Sequence, residues 1–279
     1  MIVPLLAPLA AITAAFGLIF GSFFNVVIWR VPRQESIVSP PSACPNCSTP
    51  IRPRDNIPVI SWLLLRGKCR DCAAPISAQY PAVELITGVA FALVALMFVP
   101  AVLVAGNDSG FAARILEFIA FIVLAASSVV LAGIDISVHR LPNAIVAPTF
   151  VAGAVLLTGA ALVGGDLGAL LRAGIAGAAA FLFYFAIAFI RPDGMGIGDV
   201  KLAGVLGMYL GFLGWEQFAV GIAAGFVLGG VFGLILLGLK RAKRGSGIPF
   251  GPWMLAGAWI GVAFGEPLAN VYLTSVGLR

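Results

Sequence analysis

The sequence predicts an all-α polytopic membrane protein of about eight transmembrane helices, with a cytoplasmic four-cysteine zinc-ribbon-like insertion between the first and second. Three observations carry this prediction. Only 10% of the residues are charged and the mean hydropathy is +1.06, whereas soluble domains carry about 25% charged residues. Continuously apolar runs approach or exceed the ~20 residues needed to cross hydrocarbon. A single long hydrophilic stretch, about residues 30–80, holds all 4 cysteines.

The apolar runs lie at roughly 5–29, 83–105, 115–134, 144–164, 171–190, 202–214, 217–239 and 250–265. Backbone polar groups in lipid must be satisfied within their own segment, so unbroken runs of this kind predict helices. The sixth run is short, and its start is expected to include the turn before it. The 34 glycines suit close helix approach, as in the stretches GVFG and AGIAGAAA.

The first span has no basic residue before it, which reads as a retained helix and not a cleaved signal. With the N-terminus outside, all 17 Lys and Arg residues except Arg114, Arg172 and Arg279 fall on the cytoplasmic side. The net charge of +5 then reflects topology and contact with anionic membrane lipid, not nucleic acid. The run Lys240 to Arg244 reads as one such anchor.

The cysteines form two CxxC pairs, Cys44 with Cys47 and Cys69 with Cys72. Two such knuckles match the spacing of a four-cysteine zinc site, in which each CxxC turn offers two thiolates to one tetrahedral ion. Disulfides are the alternative, and a cytoplasmic loop disfavours them. Four protein ligands leave no open position, so the zinc is read as structural. A polar, proline-rich loop of this length needs such a staple to fold.

Two aspartates stand at the edges of apolar spans: Asp135 closes the third, and Asp199 opens the sixth after a glycine-studded turn. An ionisable residue there is costly and is a functional-site hypothesis by default. Two carboxyls that share a proton are the machinery of aspartic proteolysis, so this pair is the candidate catalytic dyad. Asp199, at a helix start, is expected to carry the charge and Asp135, at a helix end, the proton. Gly194, Gly196 and Gly198 alternate before Asp199, where positive φ or close backbone approach could grip an extended peptide. Lys201 and Pro249 complete the candidate active-site turn. His139 reads as a headgroup-level residue, with contact to the dyad as the alternative. Paired acidic residues also serve ion- or proton-coupled transport, which remains the rival reading, although a transport site is expected nearer mid-membrane.

These residues belong to a wider pattern. Gly21-Ser22-Phe23, Asn25 to Ile28, Arg30-Val31-Pro32 and Pro40-Pro41-Ser42 precede the first CxxC. Asn56-Ile57-Pro58, Ser61-Trp62-Leu63 and Arg66-Gly67-Lys68 lead to the second, followed by Tyr80-Pro81 and Glu84. Leu141-Pro142, the GMGIGDVKL turn and Pro249-Phe250-Gly251-Pro252 complete it. Over nearly its whole length the chain resembles the bifunctional type IV prepilin peptidases, which are leader peptidases and N-methyltransferases. The stretch ending in Asp199 is similar to the GxGD signature of intramembrane aspartyl proteases.

The resemblance implies prepilin or pseudopilin substrates, cleaved where a short basic leader meets the membrane. It also implies S-adenosylmethionine as donor for methylating the new amino terminus, in a bacterial inner membrane, in type IV pilus or type II secretion systems. The implied division is residues 1–29 as first helix, 30–82 as a zinc-binding loop associated with methyl transfer, and 83–279 as the protease core. No Rossmann-type glycine loop is present, and the methyltransferase candidate is Glu84, with an arginine-paired interfacial glutamate as the alternative. The chain departs from the family's Leu-Pro-Asp pattern by having Asn143. Asn143 is expected to cap the fourth span. Which pilin-like substrate is taken, and in what oligomeric state, is not legible.

Overall fold

A computed structural model describes residues 3–106, 109–191, 195–239 and 249–277. Eight long helices dominate it: α1 (Val3–Arg30), α3 (Gln79–Val104), α4 (Ser109–Val138), α5 (Asn143–Gly164), α6 (Leu167–Ile190), α7 (Ile197–Leu213), α8 (Trp215–Gly238) and α9 (Gly251–Ser275). The short α2 (Ile60–Leu64) lies within the cysteine-bearing insertion. Seven of the long helices are long and apolar enough to cross a membrane.

α7 is the exception, with 17 residues. From Val200 to Phe212 nearly every side chain is buried, including Tyr209 at 0% exposure. A helix apolar all round is a core helix. Protein covers most of its surface, so it need not match the bilayer's thickness. It starts at Ile197 and so takes in most of the turn before the apolar run.

Several helices extend past the apolar runs. α4 begins at Ser109, and Arg114 of its extra turns pairs with Glu117 at 2.7 Å, while α9 continues to Ser275. Helical hydrogen bonding outlasts the apolar stretch, because only the hydrocarbon core demands apolar side chains.

Small residues join the helices into tight pairs. A Cβ at Gly21 of α1 would lie 2.7 Å from the Glu84 Cα of α3. One at Gly207 of α7 would lie 2.6 Å from the Ala176 oxygen of α6, and one at Gly261 of α9 would lie 2.8 Å from the Gly221 Cα of α8. Each backbone approaches where a side chain is missing, which is how helices associate without a hydrophobic drive between them. α4 and α5 form a further hairpin through the turn His139 to Pro142.

Asn143 does not cap α5. Pro142, at φ −70° and ψ 135°, is the flanking residue and sets the chain's entry, and no side chain caps the helix. The Asn143 Oδ1 instead accepts the Lys201 ammonium at 3.0 Å, linking α5 to α7.

Candidate active site

Asp135 lies in the last turn of α4 and is 5% exposed. His139, at φ 53°, ends that helix and donates its N–H to the Asp135 carbonyl at 2.9 Å. The chain then turns through Leu141-Pro142 into α5. The Asp135 Oδ2 accepts the N–H of Gly251, the first residue of α9, at 3.0 Å.

Asp199 occupies the third position of α7, and its Oδ2 accepts the Gly196 N–H at 3.0 Å. A carboxylate that reaches back to the residue flanking a helix start satisfies an orphan donor. Gly196 has φ −78°, so left-handed backbone is not what glycine supplies here. At Gly198 the reason is proximity: a Cβ there would lie 3.0 Å from the Leu141 Cβ. Gly194 lies outside the described residues, as does the run Lys240 to Arg244.

Both carboxyls face one cleft of about 430 Å³, which His139, Leu141, Pro142, Gly196 and Gly198 also line. Asp135 comes from the α4–α5 hairpin and Asp199 from the α6–α7 hairpin, so the pair spans the seam between them. The Gly251 N–H puts a second helix terminus at the dyad, beside Asp135. That lessens the asymmetry expected from the dipoles of α4 and α7 alone.

The remaining wall comes from the other end of the chain. Val31, Pro32 and Gln34 belong to a 3-10 turn after α1 and line the same cleft. Two arginines pin this segment. Arg30 donates to the Ser36 and Pro40 carbonyls at 2.8 Å each, and Arg33 stacks on Trp29 with 3.5 Å to the ring centroid. In the sequence Arg30-Val31-Pro32 stands only as part of a wider pattern, and nothing local to that motif points toward residues a hundred positions away.

Lys201 points elsewhere, donating to Asn143 and lining a separate groove. Pro249 precedes Phe250, which flanks the start of α9, so the proline adjoins the segment that supplies the Gly251 donor.

The two CxxC knuckles have one geometry repeated 25 residues apart. Isolated bridges join Ala43 to Pro50 and Lys68 to Pro75. Cys44 and Cys69 donate their N–H groups to Thr49 and Ala74, while Ser48 and Ala73 return N–H bonds to the two cysteines. Ser48 and Ala73 both have φ 57°. All four sulfurs lie within 4.8 Å of one another, and Cys44 Sγ and Cys72 Sγ are 3.8 Å apart. A tetrahedral ion with ~2.3 Å sulfur bonds sets ligand sulfurs about 3.8 Å apart, so this donor set fits a metal of that kind. Hydrogen bonding with Thr49 pulls the Cys47 thiol down to about 6, toward the thiolate that metals take.

The second knuckle is clipped to the rest of the loop by ion pairs. Arg70 Nε meets both Asp55 oxygens at 2.9 Å and holds that carboxyl below its ordinary range, and Arg52 meets Asp71 at 2.9 Å.

Glu84 is buried in α3, and its Oε2 accepts the Val59 N–H at 2.7 Å. Ser22 of α1 also bonds its carboxyl. Among the described residues no arginine meets it. Val59 sits at φ 62°, rare for a β-branched residue and sustained only where surrounding contacts dictate it. Asn25 completes this junction by donating to the Tyr80 and Gly21 carbonyls.

Comparison with known proteins matches two family models. Residues 15–98 match the bacterial peptidase A24 N-terminal domain, and residues 122–234 match the type IV leader peptidase family. Three curated relatives carry the name prepilin leader peptidase/N-methyltransferase. The Aeromonas hydrophila protein is 32% identical, over 93% of this chain and 92% of its own. The Pseudomonas aeruginosa protein is 30% identical, over 98% and 97%. The Bacillus subtilis protein is 31% identical, over 92% and 95%. No solved structure matches the chain. Its near-full-length similarity to these relatives, together with the two matched domains, makes it a member of the type IV leader peptidase family.

Proposed function

We propose that the chain removes the leader peptide of type IV prepilins or pseudopilins through an Asp135–Asp199 dyad. The observation that carries this reading is the convergence of two carboxyls, from different hairpins, on one cleft at the helix ends. Each has one oxygen fixed by a backbone N–H, leaving the other for a shared water. The ionised carboxylate takes a proton from the water as its oxygen attacks the scissile carbonyl carbon. The protonated partner stabilises the oxyanion and then gives its proton to the departing amine as the C–N bond breaks. Because the pair titrates as a unit, one proton serves it in both states. Its position at helix ends, not mid-membrane, favours hydrolysis over transport.

The positive-charge bias supports a cleft at the cytoplasmic face of the inner membrane, with the N-terminus outside. That is where a basic leader joins its apolar segment. The four cysteines hold zinc as a structural ion, keeping the loop folded over the membrane. Methylation of the new amino terminus is assigned to the N-terminal part of the chain, with S-adenosylmethionine supplying an electrophilic methyl group when bound. Glu84 remains the acidic candidate there, and its bond to Val59 also gives it a structural task.

The test incubates purified protein with a prepilin precursor and methyl donor and reads leader loss and methyl gain separately by mass spectrometry. Asp135→Asn and Asp199→Asn should each lose cleavage. Leader removal by either variant at the native rate would falsify the dyad assignment.

A further inference from the structure

The seam between the α4–α5 and α6–α7 hairpins holds a second opening besides the dyad cleft. This is a groove of about 500 Å³ among α5, α6 and α7. Its walls include Phe150, Ala178, Phe181 and Met208, and it is apolar except for Asn143 and Lys201. Phe150 and Phe181 are 47% and 40% exposed, so the groove is open on its outer side. Gly174 is an exposed position lining the groove, and a Cβ added there would meet nothing within 4 Å.

Among the described residues, Lys201 is the only cation lining this groove. Its ammonium has three donors, and Asn143 Oδ1 takes one at 3.0 Å. Among the described residues no carboxylate pairs with it. A lysine without a counter-ion beside an apolar channel in a membrane protein has the makeup of a headgroup site.

We propose that this groove binds an anionic phospholipid, with one acyl chain between α5 and α6 and the headgroup phosphate on Lys201. Charge selects the occupant: a zwitterionic lipid fills the bore equally well but brings its own cation to the lysine. Lys201 lies two residues after Asp199, and Asn143 eight after Asp135. The bound lipid therefore wedges the same seam across which the dyad meets.

Native mass spectrometry of the full-length protein tests this, with phosphatidylglycerol and phosphatidylcholine of identical chains. The wild type should retain phosphatidylglycerol preferentially. Lys201→Gln should weaken that retention about five-fold, the weight of one basic residue at an anionic surface, and Lys201→Arg should preserve it. Gly174→Leu, which fills the bore and keeps the lysine, should lower retention of both lipids. Equal retention of the two lipids by the wild type overturns the proposal, and so does unchanged phosphatidylglycerol retention in Lys201→Gln or Gly174→Leu. A photo-crosslinking side chain at Ala178 should capture lipid. Capture of a substrate helix in its place assigns the groove to the peptide and ends the lipid reading.

Discussion

The Asp135 Oδ2 accepts the Gly251 N–H at 3.0 Å, a contact between residues 116 positions apart. It ties the end of α4 to the beginning of α9 and fixes one lobe of a buried carboxyl. The same glycine leaves no space for a side chain, since a Cβ there would lie 2.7 Å from that oxygen. Gly251→Ala must therefore push Asp135 away from its donor. Misplacing a catalytic group by about 1 Å costs about 10²-fold, and leader cleavage should fall by that order. Metal content and the melting profile of the cysteine loop should stay as in the wild type, because neither touches α9.

The aspartates differ from this glycine in how readily a sequence reveals them. A lone carboxyl at the end of an apolar run is conspicuous on cost alone, and so are four cysteines in two CxxC turns. The eight long helices were likewise legible in hydropathy, with ends misplaced where helices continue past the apolar stretch. Gly251 and Gln34 carry no such signature. Their parts in the cleft, a backbone donor and a wall, depend on how distant helices pack. The spacing of Lys201 from Asp199 suggests the active-site turn, yet two residues along a helix turn a side chain by about 200°.

Metal removal should expose the repeat within the insertion. Because the two knuckles share their bridges, their N–H pattern and their left-handed residues, Cys44→Ser and Cys69→Ser should be equally damaging. Each should lose bound zinc, measured by atomic emission on the purified protein, and each should render residues 40–75 sensitive to limited proteolysis. Zinc lost from one variant and kept at full stoichiometry in the other would contradict a single four-sulfur site.

Gly153 gives a stability test far from the cleft. A Cβ there would lie 2.5 Å from the Tyr209 hydroxyl, which is itself fully buried in α7. Overpacking of this kind costs about 1–3 kcal/mol. Gly153→Ala should lower the thermal midpoint in detergent, and the double variant with Tyr209→Phe should recover part of the loss by removing the clashing oxygen. An unshifted midpoint for the single variant would mean that α5 and α7 separate easily at this level.

Glu84 and Val59 decide how the loop is mounted on the membrane helices. The bond from the Val59 N–H to Glu84 is 2.7 Å long, and it coincides with a positive-φ valine. A hydrogen bond to a charged acceptor is worth about 1.5–3 kcal/mol, enough to offset a backbone strain of about 1–3 kcal/mol. Glu84→Ala removes the compensation and leaves the strain, so the Val59 region should release. Hydrogen exchange across residues 57–65 should rise sharply while the sulfur cluster keeps its zinc. Because Val31, Pro32 and Gln34 enter the cleft from the same insertion, cleavage should slow as well, with KM rising more than kcat falls. A Val59→Gly partner mutation relaxes the strain directly. It should restore protection in Glu84→Ala, whereas a Glu84 that acts only in methyl transfer would leave exchange unchanged in both variants.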